Sequence, residues 1–108
     1  KGQWMHPEGM RGAVVKVAAG AADAGRATPE IAVTERGTFF GYGDLVVDMR
    51  SFARMRESCN VPVIFDGTHS VQRPGQGQDG ASGGAREFIP LLTLAAIAAG
   101  ARSSFGSV

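Results

Sequence analysis

Val61-Pro62-Val63-Ile64-Phe65-Asp66-Gly67-Thr68-His69-Ser70-Val71-Gln72 passes without a break from apolar residues to residues that carry chemistry. The run 61–65 is short and continuously apolar, with Asn60 before it and the turn-forming pair Asp66-Gly67 after it, which reads as a buried strand. A strand that is apolar on both faces needs cover on both faces, and parallel sheets provide it. The polar cluster then falls at the carboxyl end of the strand, where α/β sheets bind ligands.

Working outward, the same pattern recurs upstream. Pro29 and the apolar run Ile31-Ala32-Val33 predict another buried strand, ending near Thr34-Glu35-Arg36-Gly37. Between the strands, Asp44 is the expected cap of a helix. Leu45, Val46, Met49, Phe52, Ala53 and Met55 would form its apolar face up to Ser58. Met10, Val14, Val17 and Ala18 recur at helical spacing and predict a first helix over 8–24. Downstream, 72–84 is rich in Gly, Gln, Ser, Asp and Pro, too polar to pack. It reads as a mobile loop and the least ordered internal segment. A third helix over 91–99 is apolar on nearly every side and expects cover on several faces, with Pro90 opening or kinking it. The order helix, strand, helix, strand, helix makes this an α/β chain with parallel strands.

Composition sets limits. The chain has 108 residues, 44% of them hydrophobic, which suits one domain or a piece of a larger one. Eleven basic and ten acidic residues leave a net charge of +1, so the basic footprint of nucleic-acid or anionic-membrane binding is absent and neither partner is expected. The longest apolar run, around 88–99, contains Pro90 and is shorter than the ~20 residues that span a bilayer. The first residues have no apolar signal-peptide core and no initial Met, and read as a cut inside a longer chain. A single cysteine, Cys59, forms no internal disulfide, as in a reducing cytoplasm.

Two strand ends carry the candidate chemistry. An arginine fork at Arg36 could hold a carboxylate or phosphate in bidentate fashion; an ion pair with Glu35 or Asp66 accounts for it as well. His69 could be a metal ligand, a proton donor or an anion contact, and Asp66 could set its tautomer. Ser70 lies outside any G-x-S-x-G elbow, which argues against a serine hydrolase. Cys59 precedes its strand and reads as packing. Ser82-Gly83-Gly84, ahead of the third helix, suggests a phosphate-cradling turn but lacks the full P-loop pattern. Arg50, Arg54 and Arg56 read as a solvated helix face.

Four segments occur in order: Thr34-Glu35-Arg36-Gly37-Thr38-Phe39-Phe40-Gly41-Tyr42, Leu45-Val46-Val47-Asp48-Met49-Arg50, Phe65-Asp66-Gly67-Thr68-His69-Ser70-Val71-Gln72 and Ser82-Gly83-Gly84. In wording and separation they resemble the 3-deoxy-D-manno-octulosonate 8-phosphate synthases, also called 2-dehydro-3-deoxyphosphooctonate aldolases. The resemblance covers about 1–100 and leaves 101–108 as a divergent tail. It implies part of a (β/α)8 TIM barrel from a cytoplasmic homotetramer that condenses phosphoenolpyruvate with arabinose 5-phosphate. By resemblance, Arg36 binds phosphoenolpyruvate, and His69 is the histidine of the phosphoenolpyruvate and metal site, with a catalytic role. The loop 72–84 corresponds to the family's mobile loop over the active site.

The wording around Arg36 and His69 is closer to the metal-dependent branch, so a divalent metal is the implied cofactor. The cysteine, glutamate and aspartate expected to complete a metal set do not match residues of this chain, and neither does the lysine-rich acceptor segment. The phosphoenolpyruvate lysine falls one residue before Lys1. An incomplete, inactive piece of the enzyme is therefore the expectation. The alternatives are a related phosphoenolpyruvate-dependent keto-acid synthase with another aldehyde acceptor, and a non-catalytic phosphate-binding module.

Overall fold

Alternation along two short strands organises the core. In the computed structural model, which describes residues 1–74 and 83–103, β1 (Val33–Glu35) and β4 (Val63–Phe65) both read buried, half-buried, buried. They pair in parallel with Val33 opposite Val63 and Glu35 opposite Phe65. Side chains on a strand alternate between faces, so Val33, Glu35, Val63 and Phe65 share one face and Thr34 and Ile64 the other. Onto the first face packs α2 (Arg50–Cys59), whose Phe52 and Met55 are fully buried, with Phe52 edge-on to Phe65 at a centroid distance of 6.0 Å. Ala96 of α3 (Ile89–Ala98) joins this cluster.

The remaining elements are short. α1 (Met10–Asp23) follows a 3-10 turn at Pro7–Gly9. β2 (Thr38–Phe39) and β3 (Leu45–Val46) form an antiparallel pair. β5 (Gln72–Arg73) pairs with β6 (Gly83–Gly84), also antiparallel. β7 (Arg102–Ser103) pairs in parallel with β4, making a sheet of order β1-β4-β7. Parallel neighbours need crossover connections, and α2 and α3 provide them. Among the described residues these strands do not close into a barrel.

Several expectations are met. The first helix, Met10–Asp23, lies inside the predicted 8–24, with Met10 and Val14 packed on the core and Val17 about half exposed. Both buried strands appear, and Pro90 opens the third helix at its first turn rather than kinking it.

Others are corrected. Asp44 caps no helix; its carboxylate meets the Arg73 guanidinium at 3.0 Å. Leu45 and Val46 are strand because the β-branched pair Val46-Val47 suits pleated backbone and because Leu45, 8% exposed, closes over Gly37. Asp48 does the capping, its Oδ1 accepting the Arg50 N–H at 3.0 Å. Gly83 and Gly84 belong to β6 and do not open α3; Ser82 and most of the predicted mobile loop, 75–82, lie outside the described residues. α3 is not covered on several faces, since Leu91, Leu94 and Ile97 are each at least half exposed. Arg56 leaves the solvated face expected of it, its Nη1 donating to the carbonyls of Ala99 and Gly100. Gly100 has φ +90°, and a Cβ there would fall 2.8 Å from Arg56 Nη1, so glycine is required at this turn into β7.

Phe52 is fully buried in the apolar contact between α2 and the sheet. Phe52→Ala is expected to lower stability by about 3–5 kcal/mol, a large part of a small domain's total, read as a shift in the urea midpoint monitored by circular dichroism.

Candidate functional site

The strand ends of β1 and β4 lie side by side because the two strands are parallel and in register. Arg36 follows one and Asp66 follows the other, and the backbone joins them: Asp66 N–H donates to the Glu35 carbonyl at 3.0 Å. Beyond Asp66 the chain turns through Gly67, where a Cβ would press on Thr93 of α3 and Phe65, then enters a 3-10 turn at His69–Val71.

Asp66 organises that turn. Its Oδ1 accepts the His69 backbone N–H at 3.0 Å, its Oδ2 lies 2.6 Å from His69 Nδ1, and its carbonyl accepts the Ser70 hydroxyl at 2.7 Å. Ser70 is thus a buried structural hydroxyl rather than a nucleophile. Burial opposes ionisation of Asp66, yet the hydrogen bonds from the His69 N–H and ring outweigh it and hold the carboxyl below the usual aspartate pKa. Holding Nδ1 fixes the ring direction and leaves Nε2 as the second functional nitrogen of a half-exposed imidazole.

Arg36 does not pair with Glu35 or Asp66. Its Nη2 donates to Gln72 Oε1 at 3.0 Å, at the base of the 72–84 loop, and its Nε is buried with no hydrogen-bond partner among the described residues. Glu35 turns the other way, with its carboxylate inside the core. Oε1 accepts the Ser51 hydroxyl of α2 at 2.5 Å, Oε2 accepts the Gly37 N–H at 2.7 Å, and Lys1 Nζ stands 3.7 Å from Oε2 and 3.0 Å from Thr38 Oγ1. Both the Lys1 and Glu35 side chains are 1% exposed.

The candidates named from sequence, Arg36 and His69, follow adjacent strands; the buried contacts of Glu35 with Ser51 and Lys1 were not foreseen. One signal was available: alternation from the buried Val33 puts Glu35 in the core. The contact between Arg36 and Gln72 spans 36 residues and has no local signature.

Metal binding has limited support from these residues. His69 offers one imidazole whose other nitrogen a carboxylate orients, a common arrangement for a ligand. Among the described residues no three His, Cys, Asp or Glu side chains gather to hold an ion, so a full coordination set is not formed here. Burial raises the Cys59 thiol pKa, as for an inert packing residue. Among the described residues no helix is long and apolar enough to cross a membrane.

Arg36, whose buried Nε has no partner among the described residues, and the oriented imidazole of His69 stand at adjacent parallel strand ends of an α/β protein, the edge of the sheet where such folds bind ligands. The family described as DAHP synthetase I matches residues 1–105, and this chain belongs to that family. Among curated relatives, the 2-dehydro-3-deoxyphosphooctonate aldolase of Burkholderia cenocepacia (strain HI2424) is 50% identical over 105 residues, 97% of this chain and 36% of the relative. Proteins of the same name from Burkholderia vietnamiensis (strain G4 / LMG 22486) and Paraburkholderia xenovorans (strain LB400) match with the same identity and coverage. The chain therefore spans about a third of the length of these relatives (36%). The match runs through Arg102 and Ser103, residues that motif wording alone assigns to a divergent tail and that pair here as β7.

The Asp66 pKa is lower folded than unfolded. Its stabilisation is complete above the ordinary aspartate value of about 4 and is lost as pH falls through the depressed folded value. Asp66→Asn should flatten the acid limb of a urea-midpoint profile taken from about pH 7 to about pH 2. The slope that remains is expected from Asp48, whose carboxyl the Arg50 guanidinium holds low, and from Glu8, whose carboxyl is held low by a backbone hydrogen bond and by His6.

Proposed function

We propose that this chain supplies the phosphoenolpyruvate-binding part of a transferase that condenses phosphoenolpyruvate with arabinose 5-phosphate, giving 3-deoxy-D-manno-octulosonate 8-phosphate and phosphate. β1, β4 and β7 are in this reading consecutive strands of a (β/α)8 barrel, in a cytoplasmic homotetramer when the protein is whole. One observation carries it: the buried Arg36 Nε–H, beside a strand end, has no partner among the described residues. An unsatisfied buried donor costs about 1–3 kcal/mol, and an oxyanion of phosphoenolpyruvate would satisfy it.

Arg36 then holds the anion, while Gln72 occupies Nη2 and restricts the fork to one direction. His69, oriented by Asp66, presents Nε2 to the same substrate; where a divalent metal takes part, that nitrogen is the donor this chain offers. In the reaction, the methylene carbon of phosphoenolpyruvate bonds to the aldehyde carbon of the acceptor. Water adds at the enol carbon, and phosphate leaves with the bridging oxygen by C–O cleavage. Fixed positive groups around two phosphorylated substrates supply most of the rate.

Removing a single such group costs ~100-fold or more, and this chain carries only part of the set. The chain alone is expected to release no phosphate from phosphoenolpyruvate and arabinose 5-phosphate with added divalent metal. It is expected to bind phosphoenolpyruvate weakly, seen as shifts of the Arg36 Nε–H and of the Gly37 and His69 backbone N–H signals in a nuclear magnetic resonance titration, and Arg36→Ala should abolish the backbone shifts. Turnover that disappears in both Arg36→Ala and His69→Ala would overturn the incomplete-site reading. Saturating phosphoenolpyruvate without effect on Arg36 would overturn the substrate assignment.

A further inference from the structure

A buried carboxylate one residue from an anion-binding arginine works against the site's charge, because it repels the ligand that Arg36 would attract. It is also costly to bury, and is retained in a core only when paired and hydrogen-bonded. Glu35 is both. Lys1 Nζ at 3.7 Å offsets its charge, and its two oxygens accept from Gly37 and Ser51.

The acceptor geometry is informative. The Gly37 N–H and the Glu35 carboxylate close a short loop over the intervening residue, which is Arg36. Gly37 sits at φ +93°, a conformation most side chains avoid, and a Cβ there would lie 3.1 Å from Leu45 Cβ. Arg36 thus has a clamped peptide on its carboxyl side, and on its amino side a residue whose carbonyl is held by Asp66 N–H. Ser51 ties the same carboxylate to α2, so the clamp is anchored in the core rather than in the loop.

We infer that Glu35 is a positioning residue for Arg36: its buried carboxylate, neutralised by Lys1, clamps the Gly37 peptide and so fixes the direction in which the guanidinium meets its anion. The inference rests on Arg36 binding phosphoenolpyruvate, but the clamp itself is measurable without ligand. A group that only tied α2 to β1 would act on stability alone; a clamp acts on the order of the Arg36 side chain.

Two variants separate these roles. Glu35→Met keeps length and has no oxygen to accept from Gly37 or Ser51. Ser51→Ala removes the tie to α2 and leaves the bond to Gly37. The 15N relaxation of Arg36 Nε–H in the ligand-free chain reads order, and titration with phosphoenolpyruvate reads affinity. Glu35→Met is expected to leave Arg36 Nε–H mobile and to weaken phosphoenolpyruvate binding about tenfold, the loss of one charge-assisted hydrogen bond. Ser51→Ala is expected to lower the urea midpoint while keeping Arg36 ordered and affinity within about twofold of wild type.

If Glu35→Met fails to fold, Glu35→Ala takes its place, because it also lacks an acceptor for Gly37 and leaves space for water around Lys1; the same two results are expected. A folded Glu35 variant with Arg36 as ordered as in wild type overturns the inference. If phosphoenolpyruvate leaves wild-type Arg36 unmoved while Glu35→Met still disorders it, the substrate assignment fails and the clamp stands.

Discussion

The parallel register of β1 against β4 sets the position of everything else. Val33 opposite Val63 and Glu35 opposite Phe65 bring both strand ends level, so that the chain leaves the sheet twice at one edge. Asp66 N–H closing on the Glu35 carbonyl extends that register one step past the last ladder pair. A shift of one residue would turn Val33 and Glu35 to the opposite face and carry Arg36 away from the Asp66-His69 turn. The register is held by what lies beneath it, the fully buried Phe52 and Met55 of α2 packed against Val33, Val63 and Phe65.

Charge is handled differently at the two strand ends. At β4, Asp66 faces a half-exposed imidazole, and its hydrogen bonds hold the carboxyl ionised. At β1, Glu35 is buried with Lys1, and the guanidinium next in sequence has a buried Nε–H with no partner among the described residues. The acid nearest to Arg36 along the chain is thus occupied elsewhere. An arginine paired with its own neighbour would have little left for a ligand; turning the carboxylate toward Lys1 and Ser51 and the guanidinium toward Gln72 prevents that pairing.

The same sheet is left open. Among the described residues β1 and β7 are edges, only β4 is flanked on both sides, and α3 presents Leu91, Leu94 and Ile97 to solvent. Exposed apolar helix faces and unpaired strand edges in a parallel α/β sheet are surfaces normally covered by further elements. A match to only 36% of the relatives' length agrees with that picture. It also explains why a helix apolar on nearly every side buries a single residue, Ala96.

How far the sequence reached is clear from particular residues. By itself it determined the alternation of helices with buried strands, because continuous apolar runs such as 61–65 and apolar spacing such as Met10 and Val14 are local properties of the chain. It also placed Arg36 and His69 after strands, and its motif wording pointed to the right family. It misjudged Leu45 and Val46, where apolar residues fit a helix face and a strand equally well; the antiparallel register with Thr38 and Phe39 decided for strand. Only the tertiary structure decided the partners. Arg36 meets Gln72 across 36 residues, Ser51 meets Glu35 across 16, and Asp44 meets Arg73 rather than a helix end. Local pattern encodes which face a side chain occupies, but a hydrogen bond between distant residues exists only once the packing of β1, β4 and α2 has brought its two ends together.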